Sequence, residues 1–274
     1  MIVLEPEGGL GNRLRAIHSA VQLSKHTRHS LTIRWIEKKG MMCLYEDLFA
    51  KSDHFDVKEI RRNIFNRGSS IILSGKVIDY INRIKYDLLI QNREIHKILN
   101  NKNDIVKLIE NRDKILIKSH HLFFEGEDGF YAPSPSDNIS SRVERIVENF
   151  RDEYTVGVHI RGTDNNKSIE MSPISLFVDR MQQELSHSPD TLFYLSTDSV
   201  EAKETLTSRF GEKRILFQPG IELSRNRKKG IEDAFVDMLC LSKTKHIFGS
   251  YWSSFSAIAA SIGGIEKETL IAEG

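Results

Sequence analysis

The chain has 274 residues, with 39 Lys and Arg residues against 38 Asp and Glu residues. This length fits one large domain or two small ones, and the balanced charge argues against a dedicated nucleic-acid-binding protein, which usually carries a strong basic excess. No apolar run reaches the roughly 18 residues that a membrane-spanning helix needs, and no signal peptide is visible. We therefore expect a cytoplasmic protein, for which any association with a membrane is peripheral.

Cysteines and histidines form no recognisable metal motif. Cys43 and Cys240 lie far apart, each in an apolar stretch, which predicts two buried, reduced thiols. His120-His121 is an adjacent pair without the spacing of a zinc site. We expect no bound metal and no cofactor.

The N-terminal half alternates strand and helix patterns. Strands are predicted at Met1–Leu4, Leu31–Trp35 and Ile115–Ser119, and a helix at Asn12–His26. The long charged segment Lys76–Asn111 has helix-like spacing of its apolar residues and predicts a helical insertion. The proline- and serine-rich segment Ala132–Asp137 is typical of a linker. It predicts a boundary between domain 1–135 and domain 136–274.

The C-terminal half repeats strand and helix without a break. Strands are predicted at Tyr154–Ile160, Thr191–Leu195, Arg214–Phe217 and His246–Phe248. Helices are predicted at Pro173–Leu185, Ser199–Phe210, Ile231–Ser242 and Ser254–Ile262. This alternation predicts an α/β fold with a parallel sheet and helices on both of its faces.

Three polar clusters, 159–164, 196–199 and 249–254, follow three of these strands. Ligands of open parallel sheets bind where the strands end, so we expect the clusters to share one rim. They offer Arg161, several hydroxyl groups and helix N-terminal N–H groups, which together suit a diphosphate. Each cluster also has a structural interpretation: helix caps around Asp198 and Ser253, a core position for His159, or an ion pair between Arg161 and Asp164.

The N-terminal loop 8–13, with sequence GGLGNR, lies between a predicted strand and a predicted helix. It allows a ligand to approach the backbone, but it fails the dinucleotide-binding fingerprint. Leu14 occupies the position of the third glycine, and the acidic Glu37 comes late after the second strand. The structural alternative is a tight strand-to-helix turn.

Two motifs, Gly-Leu-Gly-Asn-Arg-Leu from Gly9 and His-Ile-Arg-Gly-Thr-Asp from His159, together resemble the superfamily of α1,2-, α1,6- and protein O-fucosyltransferases. The similarity is greatest to the α1,6 branch, and Thr197-Asp198 and an Asp-(x)4-Ser segment from Asp237 extend it. The match covers roughly residues 154–262, and in the N-terminal half little beyond residues 8–15.

This resemblance implies a GT-B-like α/β fold, in which two Rossmann-like domains face each other across a cleft. It implies an inverting, metal-independent glycosyltransferase that uses GDP-fucose. Domain 1–135 would then serve the acceptor side, and domain 136–274 would bind the nucleotide sugar. The expected partners are this donor and a carbohydrate acceptor, a glycan or a glycolipid.

The resemblance also implies residue roles. Arg161 would hold the diphosphate, with His159 close to the nucleotide. Asp237 would contact guanine, and Asp198 would shape the nucleotide pocket. The other predicted binding residues are Ser250, Ser253 and Ser254 for phosphate, Gly9, Gly11 and Asn12 near the sugar, and Arg13 as a further positive charge.

Two positions depart from the α1,6 pattern. Gly162 stands in place of its second arginine, so one guanidinium is missing. The catalytic acid of the family matches Glu170 only loosely. Inverting transfer needs a base for the acceptor hydroxyl, for which Glu170 and Asp164 are the candidates. The open alternatives are another nucleotide-sugar donor, an NAD-type oxidoreductase that uses the glycine loop, and a non-catalytic nucleotide-binding protein.

Overall fold

The computed structural model describes residues 1–61, 75–100, 104–163 and 166–272. The chain forms two compact units. Unit 1 comprises Met1–Pro135 together with Arg225–Lys228, and unit 2 comprises Ser136–Ser224 together with Lys229–Gly274. In the described ranges, no helix is long and apolar enough to cross a bilayer.

Unit 1 is built on a parallel sheet. Its strands are β1 (Ile2–Pro6), β2 (Leu31–Ile36), β3 (Asp56–Ile60), β4 (Leu88–Ile90) and β5 (Ile115–Ser119). They pair in the order β3-β2-β1-β5-β4. The central strand β1 is buried along its whole length, as expected for a parallel strand with neighbours on both sides.

The longest helix of unit 1, α1 (Leu10–Thr27), follows β1 after a three-residue loop. The apolar residues predicted to face inward are buried in it: Leu14, Ile17, Val21 and Leu23. The other helices in the described part of this unit are α2 (Tyr45–Leu48), α3 (Gly75–Lys85), α4 (Asn92–Asn100) and α5 (Ile105–Ile109).

The predicted helical insertion at Lys76–Asn111 is wrong in its middle, where the chain forms β4. Leu88 pairs with Ile115 of β5, so this segment supplies an edge strand of the sheet. A three-residue strand is too short to show alternation, and the helical spacing of α3 runs into it. Residues 101–103 lie outside the described residues. The sequence pattern also fails to indicate β3, whose residues are mostly polar and exposed at the opposite edge.

Unit 2 has a second parallel sheet. Its strands are β6 (Thr155–Ile160), β7 (Leu192–Thr197), β8 (Ile215–Leu216), β9 (Ile247–Ser250) and β10 (Lys267–Leu270). They pair in the order β10-β9-β6-β7-β8, and all pairs are parallel, which confirms the predicted sheet. The edge strand β10, in which three of four residues are polar, was outside the predicted pattern.

Six helices follow in the described part of unit 2: α6 (Asp137–Val147), α7 (Asn166–Met171), α8 (Ile174–His187), α9 (Val200–Phe210), α10 (Lys228–Leu241) and α11 (Ser254–Gly263). Phe177 and Met181 of α8, with Leu206 of α9, pack against apolar side chains of β6 and β7. Cys43 in unit 1 and Cys240 in α10 are both buried thiols, as predicted.

Candidate functional site

The three predicted clusters meet at the carboxyl edge of unit 2, the side of the sheet at which β6, β7 and β9 end. The central strand β6 pairs with β7 on one side and with β9 on the other. In this register His159 lies opposite both Ser196 of β7 and Gly249 of β9. The clusters therefore begin at the same level of three adjacent strands.

The backbone of the loop after β6 is fixed from both neighbouring strands. Ser250 Oγ accepts a hydrogen bond from the Arg161 N–H at 3.0 Å. From the other side, Asp198 Oδ1 accepts from the Gly162 N–H at 2.6 Å, and Asp198 Oδ2 accepts from the Thr163 hydroxyl at 2.5 Å. These bonds hold the half-buried Arg161 at the carboxyl edge.

His159 is buried at the end of β6, with 8% of its surface exposed. Its ring stacks on Phe255 of α11 at a centroid distance of 4.9 Å. Burial lowers the pKa of His159 to about 4, against the opposing effect of Asp198, and the charges of Arg161 and Lys267 lower it further. The uncharged imidazole therefore predominates at neutral pH. Its Nδ1 is buried and has no hydrogen-bond partner among the described residues.

The N-terminus of α11 lies three residues after β9 ends. The N-cap is Ser253, whose side chain makes no capping hydrogen bond in the described structure. The first N–H groups of a helix have no partners within it and carry partial positive charge. Ser256 Oγ, fully buried in the first turn, also has no partner among the described residues. With Ser254 as its first residue, this helix start suits an anion.

Asp237 lies in α10 and is 4% exposed. Its Oδ1 accepts a hydrogen bond from the Tyr194 hydroxyl at 2.6 Å, and its Oδ2 accepts from the Ser196 hydroxyl at 2.9 Å. Burial raises the pKa of Asp237 to about 6, although both hydrogen bonds act in the opposite direction. Each carboxylate oxygen can accept a second hydrogen bond, so a contact with guanine would use the remaining lone pairs.

In unit 1, the glycine loop connects β1 to α1. Gly8 has a φ of 76°, a left-handed conformation that favours glycine, and Gly9 is the N-cap of α1. Arg13 is fully buried, with Nε 3.2 Å from Gly8 O, Nη2 2.9 Å from Ile36 O and its guanidinium 4.3 Å from the centre of the Trp35 ring. Burial lowers the pKa of Arg13 to about 10. The hydrogen bonds of the Arg13 side chain thus hold the glycine loop against β2.

Four polar residues that the sequence analysis did not predict as binding residues surround this loop. Arg15 donates to Asn12 Oδ1 at 2.6 Å and to His120 O at 3.0 Å. Asn92 donates to Glu7 at 2.5 Å and accepts from the His120 N–H at 3.0 Å. Glu7, Asn92 and His120 each follow a strand of the unit 1 sheet. The misassignment of β4 as helix hid this pattern at Asn92.

No protein-family model matches the chain, and no curated protein matches its sequence. Solved structures do match. NodZ α-1,6-fucosyltransferase, co-crystallised with GDP or soaked with GDP-fucose, is 17% identical, with a TM-score of 0.60 over 94% of this chain and 91% of that one. POFUT1 in its apo form is 11% identical, with a TM-score of 0.59 over 98% of this chain and 97% of that one. A mutant of Arabidopsis thaliana FUT1 in complex with GDP is 14% identical, with a TM-score of 0.61 over 98% and 69%.

The chain has the fold of these fucosyltransferases. The predicted α/β class with two Rossmann-like units is therefore confirmed, both by the two parallel sheets and by these matches. At identities of 11% to 18%, the similarity speaks for the fold alone.

Gly162 stands where the α1,6 pattern has its second arginine, and the structure explains why this chain has glycine there. A Cβ at this position would lie 2.5 Å from Ser199 Cβ. Ser199 is itself fixed, because its Oγ accepts the Ala202 N–H at 3.1 Å and caps α9. The loop backbone packs directly against the start of α9, so Arg161 carries the only guanidinium of the described residues in this turn.

Only one of the two candidate bases lies in the described part of the chain. Glu170 lies in α7, which packs against β9, and its side chain is exposed. Asp164 lies outside the described residues, and so does its predicted ion pair with Arg161. Both remain predictions.

Among the described residues, no three His, Cys, Asp or Glu side chains are grouped as a metal site requires. His120 and His121 lie with ring centroids 4.1 Å apart. The pKa of each is lowered by burial, and Arg15 lowers both further. Metal independence itself stays a prediction.

Proposed function

We propose that the chain is an inverting glycosyltransferase that moves fucose from GDP-fucose to a carbohydrate acceptor. The observation that carries this proposal is the carboxyl edge of unit 2. There, Arg161 and the N-terminus of α11 follow the adjacent strands β6 and β9, and the fully buried Ser250 hydroxyl accepts the Arg161 N–H. A guanidinium and a set of N–H groups are the partners that a diphosphate requires.

The identity of the donor rests on the fold as well. NodZ was co-crystallised with GDP and soaked with GDP-fucose, and it shares this fold. By analogy, we assign the diphosphate to Arg161, Ser253 and Ser254. His159 would lie beside the nucleotide, and Asp237 would meet guanine. Asp198 would support this site, since it accepts hydrogen bonds from the loop that carries Arg161.

The reaction forms a bond between an acceptor oxygen and the anomeric carbon of the sugar as the bond from that carbon to the phosphate oxygen breaks. GDP leaves with the electron pair, and its growing negative charge is stabilised by Arg161 and the N–H groups of α11. The acceptor hydroxyl gives its proton to a base. Glu170 and Asp164 remain the candidates for that base.

Unit 1 would serve the acceptor side in this proposal. Gly9 and Asn12, which are partly exposed, would contribute to this side, whereas Gly11 is buried in the first turn of α1. The guanidinium of Arg13 donates hydrogen bonds to backbone carbonyls within unit 1, so Arg13 would shape the loop rather than contact phosphate.

Peripheral binding to an anionic lipid surface is the second part of the proposal. On α3, Tyr80, Ile81 and Ile84 are 66%, 46% and 72% exposed, and their spacing places them on one face. Arg83 and Lys85 add positive charge in the last turn of that helix. An exposed apolar face beside basic residues suits the surface of an anionic bilayer.

Calorimetry with GDP, UDP and NAD tests the donor class. We expect GDP to bind and the other two to fail at the same concentration. UDP binding would support another nucleotide-sugar donor, and NAD binding would support an oxidoreductase that uses the glycine loop. A screen of carbohydrate acceptors with labelled GDP-fucose then tests turnover. GDP binding without hydrolysis or transfer would leave a non-catalytic nucleotide-binding protein.

A further inference from the structure

Trp252 is 68% exposed at the carboxyl edge of unit 2. It lies between Tyr251, which follows β9, and Ser253, the N-cap of α11. An exposed indole gains little from burial, so its packing within the unit does not account for its presence.

The backbone of Trp252 has a φ of 54°, which a bulky residue rarely adopts. The preceding residue is held on both sides. The Tyr251 N–H donates to Ser172 Oγ at 2.8 Å, and Tyr251 O accepts from Ser168 Oγ at 2.9 Å. Both serines are buried. The unit therefore presents the indole to solvent from a rigid and unfavourable backbone, an arrangement that is typical of ligand-binding positions.

The surroundings of the indole indicate what it contacts. Lys167 Nζ lies 5.2 Å from the centre of the Trp252 ring and 5.9 Å from that of Tyr251. A single aromatic face beside an ammonium group suits a sugar ring. Such a ring offers C–H groups to the electron-rich aromatic face and hydroxyls to the polar neighbours. A lipid or an apolar peptide would need a wider apolar patch.

The order of the strands separates Trp252 from the proposed guanine contact. The proposed guanine contact, Asp237, is hydrogen-bonded to Tyr194 and Ser196 of β7. Trp252 follows β9, on the other side of β6, and Arg161 stands between them at the end of β6. Guanine and Trp252 therefore lie on opposite sides of the diphosphate groups. We propose that Trp252 is a platform on which a sugar ring of the acceptor stacks, with Lys167 beside it to bind hydroxyl groups. This inference rests on the proposed function and adds a residue of unit 2 to the acceptor contacts proposed for unit 1.

The test uses GDP-fucose as donor and a panel of neutral oligosaccharides built from glucose, galactose, mannose or N-acetylglucosamine. For the best acceptor of the panel, Trp252→Ala raises KM by about tenfold, the size of one aromatic contact, while the affinity for GDP is unchanged. Trp252→Phe recovers most of the loss. Tyr154→Ala, which removes another exposed aromatic residue of unit 2, is the matched control and leaves KM unchanged.

The variant Trp252→Gly shows whether a loss of acceptor binding is caused by a loss of stability. Glycine adopts a φ of 54° without strain, so this variant melts at or above the temperature of the wild type while its acceptor KM still rises. Fluorescence gives an independent readout, because Trp35 is fully buried and Trp252 is the exposed tryptophan. The acceptor protects this signal from acrylamide quenching.

An unchanged acceptor KM in Trp252→Ala overturns the inference. So does a rise in KM for GDP-fucose or a loss of GDP affinity, because the ring would then contact the donor. If the wild type itself fails to bind GDP, the proposed function fails instead, independently of Trp252.

Discussion

Arg161 owes its position to the neighbouring strands, since Ser250 of β9 accepts its N–H and Asp198, directly after β7, holds the next two residues. If its guanidinium grips the diphosphate, it stabilises the leaving group most as charge develops in the transition state. We expect Arg161→Ala to lower kcat/KM by about 30- to 1000-fold, corresponding to about 2–4 kcal/mol. Arg161→Lys should recover little, because an ammonium group lacks the bidentate fork.

The control for this variant is another arginine of unit 2, whose side chain forms ion pairs within the unit. Arg180 pairs with Glu184 and Glu268 and lies 4.3 Å from the centre of the Phe248 ring. Arg180→Ala should lower Tm while activity per folded molecule is retained. Arg161→Ala should do the reverse. Near-normal activity of folded Arg161→Ala would remove this residue from the site.

Single residues also mark the limit of what the sequence could predict. The positions of Asp198 and Ser250 after strands were apparent from the pattern, but not that their side chains anchor a loop. Arg13 was expected near substrate, yet its guanidinium is buried against Trp35. Whether a polar group is used by the protein itself depends on tertiary contacts, which a linear pattern does not contain.

Among the elements, α3 carries the most specific expectation. The protein should sediment with vesicles of phosphatidylserine and phosphatidylcholine, and not with phosphatidylcholine alone. Replacing both Arg83 and Lys85 with alanine should weaken this binding by about 2 kcal/mol, or roughly 30-fold, because each basic residue near an anionic surface contributes about 1 kcal/mol.

A second variant tests the exposed apolar residues of the same α3 surface. Ile84→Ser removes a side chain that is 72% exposed and should also weaken sedimentation with anionic vesicles. Ile271→Ser, at a position that is 45% exposed in unit 2, is the matched control and should have no effect. Equal sedimentation of all variants would contradict a role for α3.

The elements found from the sequence are those with long or fully buried patterns. β6 and β7 are apolar runs of central strands, and α1 repeats apolar residues over several turns. The strands not found are at sheet edges, where polar residues are tolerated, and the helices α2, α6 and α7 were not predicted either. β3 and β10 have exposed charged positions, and β4 is only three residues long. Their pairing is decided by neighbouring strands that are distant in sequence.

For the whole molecule, we expect transfer to survive treatment with EDTA. In the proposed site, Arg161 and the N–H groups of α11 neutralise the diphosphate, a task for which other enzymes use a divalent cation. The measurement is kcat before and after chelation and dialysis, followed by addition of Mg²⁺ or Mn²⁺. A requirement for either ion in the transfer step would contradict the expectation.

The segment Arg225–Lys228 belongs to unit 1, although the chain on both sides of it belongs to unit 2. The Met42 N–H donates to Arg225 O at 3.3 Å, and Lys228 Nζ lies 2.5 Å from Asp47 Oδ1. The two units are therefore not modules that a single crossover can exchange. A chimera joined after residue 135 would take the segment equivalent to 225–228, which belongs to unit 1, from the other parent. To preserve these contacts, a recombinant with a related enzyme must take residues 1–135 and 225–228 from the same parent.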